Sequence, residues 1–106
     1  MTDLKNIQRI YFIGIGGMGM SALARYFNER KIKVSGYDRV CTTLTQQLEA
    51  EGINIHYEEN LSMIDQQAGL VVFTPAIPID HQELMYYRDN NYPVAKRSEV
   101  LQKILQ

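Results

Sequence analysis

A chain of 106 residues, 45% of them hydrophobic, is long enough to bury one core and short for two. Eleven basic against twelve acidic residues leave a net charge of −1, so no global field draws in nucleic acid or an anionic membrane, and any anion site must be built locally. The lone Cys41 excludes an intrachain disulfide, MTDLKNIQR lacks the apolar stretch of a secretory signal, and no apolar run approaches the ~20 residues of a membrane helix, so the expected compartment is the cytoplasm.

RIYFI, from Arg9 to Ile13, is nearly all apolar, as a strand buried on both faces of a parallel sheet would be. After a glycine-rich bend, Met20, Leu23, Ala24 and Phe27 recur at helical steps while Arg25, Asn28 and Glu29 take the other side, which predicts an amphipathic helix. KVSGYD, Lys33 to Asp38, reads as a second strand, and the helix after it carries Leu44 and Leu48 on one face with Gly52 as its C-terminal stop. Ile53 to Ile55 begins a short third strand. Leu70 to Phe73 is a fourth, broken into a loop at Thr74-Pro75-Ala76-Ile77-Pro78 because proline cannot donate to a ladder. The next helix is expected to be capped by Asp80, with Glu83 completing a capping box and Ile79 stapled to Leu84. A last strand around Pro93 to Ala95 leads into a helix striped by Val100, Leu101, Ile104 and Leu105.

Five such alternations predict an α/β fold: a Rossmann-like open parallel five-stranded sheet, helices on both faces, strand order 3-2-1-4-5, in a single domain over 1–106. Ligands in such sheets sit beyond the carboxyl ends of the strands, at the switch point between strands one and four.

The glycine bend lies there. Gly14, Gly16 and Gly19 fit G-x-G-x-x-G, with Gly17 extra, between a strand and a helix. In that pattern the first glycine turns the chain, the second admits a ligand to the backbone, and the third lets the helix press on the sheet. Gly14, Ile15, Gly16, Gly17, Met18, Gly19 and Met20 are therefore the candidate diphosphate contacts, through amides and the helix dipole rather than basic side chains. A glycine turn that binds nothing is the bland alternative. Asp38, about twenty residues on, has the place of an acid that accepts ribose hydroxyls, or of a simple turn residue. Arg39 adds a charge near the phosphates or solvates the loop.

Cys41 reads as packing, and Met18 and Met20 as cover for the helix's buried face. His56 is within reach of the crevice or, more blandly, on the surface. His81, in a helix's first turn, has no expected role. Thr74, Ala76 and Ile77 face the glycine loop across the crevice, or form only a proline-stiffened connector. Tyr86, Tyr87 and Tyr92 read as an aromatic cluster at the sheet's edge, not a platform for bases. No residue set reads as catalytic or metal-ligating. An NAD(H)-binding module of a dehydrogenase or regulatory sensor explains the glycines and Asp38 equally well.

Together IYFIGIGGMGMSALA, VSGYD, TPAIP and VAKRSEVL resemble, over nearly the whole chain, the N-terminal domain of the Mur ligase family, in its UDP-N-acetylmuramate:L-alanine ligase branch. The resemblance implies a Rossmann-like domain that binds the UDP part of UDP-N-acetylmuramate, with the diphosphate on Gly16 to Met20. It implies uridine contacts from Asp38 and a pocket wall of Thr74, Ala76 and Ile77. A Gly-His-x-x-x-Asn segment of the family is matched by His56 and Asn60, though Ile55 replaces its glycine. The family's reaction, in peptidoglycan biosynthesis, uses ATP to phosphorylate the muramate carboxylate, which the amine of L-alanine then attacks. ATP and magnesium are implied for the full-length enzyme, with a central ATPase domain and a C-terminal domain as partners. The chain has no G-x-x-x-x-G-K-[ST], so it is expected to hold substrate, bind no cofactor of its own, and be inactive alone.

Overall fold

Ile10, Tyr11, Phe12 and Ile13 are wholly buried because their strand, β1 (Arg9–Ile13), is the middle of a five-stranded, all-parallel sheet in the computed structural model, which describes residues 4–106. The first three residues of MTDLKNIQR lie outside the described residues. β2 (Lys33–Tyr37) and β4 (Leu70–Phe73) flank β1, with Phe12 opposite Gly36 on one side and Val72 on the other. β3 (Asn54–His56) and β5 (Val94–Lys96) are the edges, giving the order β3-β2-β1-β4-β5 that the alternation predicts.

Successive side chains of a strand point to opposite faces, so β1 feeds two cores. Ile10 and Phe12 pack with Met20, Leu23 and Phe27 of α1 (Met18–Glu29), Leu48 of α2 (Thr43–Ala50) and Val100 of α4 (Arg97–Ile104). Tyr11 and Ile13 pack on the other face with Leu84 and Tyr87 of α3 (Gln82–Asp89) and with Ile64 and Ala68 from the connection 57–69. Gly52, at φ +97°, follows the end of α2 as expected. Tyr86, Tyr87 and Tyr92 do form an aromatic cluster, Tyr87 and Tyr92 meeting edge to face at 4.8 Å.

The start of α3 differs from expectation. Its N-cap is His81, whose Nδ1 accepts the Glu83 amide at 3.2 Å, not Asp80. Glu83 completes no capping box, because its carboxylate turns inward and is fully buried. There it accepts the Tyr11 hydroxyl at 2.6 Å and the Asn60 amide at 3.1 Å, and pairs with His56 Nε2 at 2.7 Å. Ile79 is 79% exposed and staples nothing, while Leu84 is buried without it.

Candidate functional site

The glycine bend is tied to β2. The amides of Gly14 and Ile15 both donate to the Tyr37 carbonyl, at 2.8 and 3.0 Å, and Gly14 takes φ +90°, where only glycine is unstrained. The Gly16 amide donates to Asp38 Oδ2 at 2.8 Å, and the Val40 amide to Oδ1 at 3.0 Å, so Asp38 clamps the loop from below. A Cβ on Gly16 would stand 2.7 Å from Thr45 Cγ2 and 2.8 Å from Asp38 Oδ2. Gly16 is therefore glycine because its own protein crowds it, which is not the ligand-approach role expected of that position.

Gly17 is different. It is exposed, a Cβ there would meet nothing closer than 3.4 Å, and as the N-cap of α1 it has no side chain to bond the first turn. The amides of Met18, Gly19 and Met20 thus begin α1 without a side-chain cap, at the positive end of its dipole. Gly19 does not press α1 on the sheet; the space of its missing side chain holds the Arg97 guanidinium, 2.8 Å from the Cβ position.

Beyond the carboxyl ends of β1, β2 and β4 opens a cleft of about 430 Å³, within the range of small-molecule sites. Gly14 and Gly17 form one side, and Tyr37, Asp38, Arg39 and Val40 follow β2 beneath it. Thr74, Ala76, Ile77 and Pro78 make the facing wall, and Glu59 and His81 also line it. Of the residues singled out in the sequence, the structure brings together Gly14, Gly17, Asp38, Arg39, Thr74, Ala76 and Ile77. Ile15 and Met20 bury their side chains in the core, and Met18 is 89% exposed rather than covering α1. Ile15, Gly16, Gly19 and Met20 thus have only main-chain groups to offer a ligand.

His56 is neither on the surface nor a wall of the cleft. Its ring is buried against Glu83 and, at 3.3 Å, the Tyr11 hydroxyl, although its carbonyl accepts the Asp38 amide at 3.1 Å. Cys41 is exposed rather than packed, and a bond from the Gln46 amide draws its thiol below its ordinary value. Tyr37, Glu59 and His81 were not expected at the cleft. Tyr37 adjoins Asp38 at a strand end, a signal available in the sequence; Glu59 and His81 sit on irregular segments with none. Burial first, then the carboxylates of Glu59, Glu83 and Asp38, push the Tyr37 phenol above its ordinary value, so it remains a hydrogen-bond donor at neutral pH.

The sequence pattern of the family described as "Mur ligase family, catalytic domain" matches residues 9–106. The UDP-N-acetylmuramate–L-alanine ligase of Porphyromonas gingivalis is 50% identical over 103 residues, which cover 92% of this chain and 23% of that ligase. A crystal structure of the UDP-N-acetylmuramate-alanine ligase of Thermotoga maritima superposes with a TM-score of 0.87 at 30% identity, over 94% of this chain and 23% of that one. A structure of the UDP-N-acetylmuramate:L-alanyl-gamma-D-glutamyl-meso-diaminopimelate ligase of Neisseria meningitides gives 0.77 at 26% identity, over 86% and 29%. The chain thus spans about a quarter of the length of the relatives it matches.

Proposed function

Because the chain belongs to the Mur ligase family, we propose that its cleft holds the UDP part of UDP-N-acetylmuramate for the ATP-dependent addition of L-alanine in peptidoglycan biosynthesis. The observation that carries this reading is the uncapped N-terminus of α1, opening at Gly17 into a cleft whose far wall is the Thr74–Pro78 loop. The diphosphate lies on the amides of Met18 to Met20, where partial positive charge needs no basic partner. The ribose lies over Asp38. Its two oxygens each accept one backbone amide and each keep capacity for a ribose hydroxyl. Thr74, Ala76 and Ile77 hold the opposite side of the ligand.

In this reading residues 1–106 form a single substrate-binding domain, partnered by further ligase domains that carry the phosphoryl chemistry. Among the described residues no group of three or more His, Cys, Asp or Glu is placed to hold a metal ion, and the sequence has no lysine phosphate loop. In this reading the ATP and magnesium of the full-length reaction are held by the other domains. The same domain works in the cytoplasm; among the described residues no helix is long and apolar enough to cross a membrane.

The test is a titration of isotope-labelled protein. UDP-N-acetylmuramate should shift the amides of Gly14, Gly17, Met18 to Met20, Asp38, Thr74, Ala76 and Ile77, and NAD should leave them nearly unmoved. Shifts with NAD and none with the uridine compound would replace this reading with a dinucleotide-binding one.

A further inference from the structure

His81 carries a buried ring nitrogen with nothing to bond. The residue is 4% exposed. Its Nδ1 accepts the Glu83 amide, so in the neutral ring the hydrogen sits on Nε2, and Nε2 has no hydrogen-bond partner among the described residues. A covered donor without an acceptor is rare, because it forfeits its hydration for no return. Capping does not account for it either, since that uses Nδ1 alone and Ser, Asp or Asn would cap as well. The ring lines the cleft, in edge contact with Tyr37 at 4.8 Å between centroids.

An acceptor stands beside the same ring, on its Nδ1 side. Glu59 also lines the cleft, with Oε1 3.9 Å from His81 Nδ1. The Gln82 amide holds that carboxylate at 2.8 Å through Oε1, which leaves Oε2 for another donor. Glu59 follows β3, two strands away from the glycine bend that follows β1. At about 4.8 Å per strand spacing that is ~10 Å, comparable with the reach of a nucleoside from its 5′-phosphate.

Resting on the reading of the cleft as a uridine diphosphate site, we propose that His81 and Glu59 select the base. The His81 Nε2–H donates to the 4-carbonyl of uracil, and the Glu59 carboxylate accepts the adjacent imide N–H. Cytosine presents an amino group and an unprotonated ring nitrogen along the same edge, so it sets donor against donor and acceptor against acceptor. Since Nε2 is covered in the free chain, the base must displace a neighbour to reach it, and Tyr37 is the side chain in contact on the cleft side.

Calorimetry with UDP and CDP on the parent chain, H81N and E59Q tests this. Asparagine at 81 keeps a capping acceptor for α3 and removes the far donor. The parent should prefer UDP over CDP by about tenfold or more, and H81N should bind UDP about tenfold more weakly, with the preference collapsing toward one. E59Q should narrow the preference, because an amide can turn its N–H₂ toward cytosine. An H81N chain that binds UDP as tightly as the parent, with the preference intact, overturns the assignment and leaves the uridine diphosphate reading standing. Equal losses for both nucleotides mark a structural role and overturn it too, and an unchanged preference in E59Q removes Glu59 from it. A parent that binds neither nucleotide overturns both readings.

Discussion

Gly16 and Gly17 are neighbours with opposite constraints. Gly16 is enclosed by Asp38 and Thr45, so Gly16→Val must push apart the clamp and the start of α2, and its first effect is on folding. Gly17 has room on the protein side, and alanine suits its φ of −64°. Gly17→Ala should therefore keep the parent's stability to within about 0.5 kcal/mol while placing a methyl group in the cleft beside the uncapped amides. Affinity for UDP-N-acetylmuramate should fall about tenfold by calorimetry, a loss of about 1.4 kcal/mol. An unchanged affinity in a folded variant would put the diphosphate elsewhere. Tyr11 supplies a different residue-scale test, because its hydroxyl is one of the donors that satisfy the buried Glu83 carboxylate. Tyr11→Phe should cost roughly 1 to 3 kcal/mol in urea unfolding, since the carboxylate stays buried with one acceptor oxygen unmet. A cost near zero would mean that water or His56 replaces the hydroxyl.

At the scale of elements, local and long-range bonds compete for the same side chains. Thr42 and Thr45 form a reciprocal capping box at the start of α2, bonding each other's backbone amides at 2.8 and 3.1 Å. Thr42→Ala should cost about 1 kcal/mol, read from the midpoint of thermal or urea unfolding, and leave α3 unaffected. At α3 the acid three residues after Asp80 mimics the same box, yet Glu83 is taken by Tyr11, 72 residues away, and His56, 27 away. Spacing cannot reveal a bond across the fold, which is why Asp80 reads as the cap and why neither place expected for His56, the crevice or the surface, matches its buried ring. The strands were legible for the converse reason: β1 and β4 are buried on both faces, and continuous apolar runs report that directly. The cleft was half legible. Residues that directly follow strands, Gly14, Asp38 and Thr74, are located by the topological switch alone. Glu59 is brought in by the irregular connection 57–69, anchored through the Asn60 amide on Glu83, and His81 by the loop between β4 and α3, and no periodicity marks such segments.

For the whole molecule, the α3 face of the sheet is held together by buried phenols. The Tyr11 hydroxyl joins β1 to α3 through Glu83, and the Tyr87 hydroxyl joins α3 to the connection 57–69 by donating to the Asp65 carbonyl at 2.9 Å. Both phenols are held well above their ordinary value of 10.0, by burial first and then by the carboxylates of Glu83 for Tyr11 and Asp65 for Tyr87. A group whose pKa is raised on folding contributes stability that is complete below its unfolded value and is lost as pH rises beyond it. Here the unfolded chain begins to release both protons near pH 10.0 while the folded chain retains them, so unfolding becomes progressively easier in alkali. Two such groups give a decline of at most about 2.7 kcal/mol per pH unit above that point, with a flat profile for these groups at neutral pH. Urea unfolding followed from pH 8 to pH 11.5 should show that break for the parent. The Tyr11→Phe, Tyr87→Phe double variant should start lower at neutral pH and fall less steeply above pH 10.0. A double variant with the parent's alkaline slope would place the titration elsewhere, leaving the other tyrosines or the lysines to account for it.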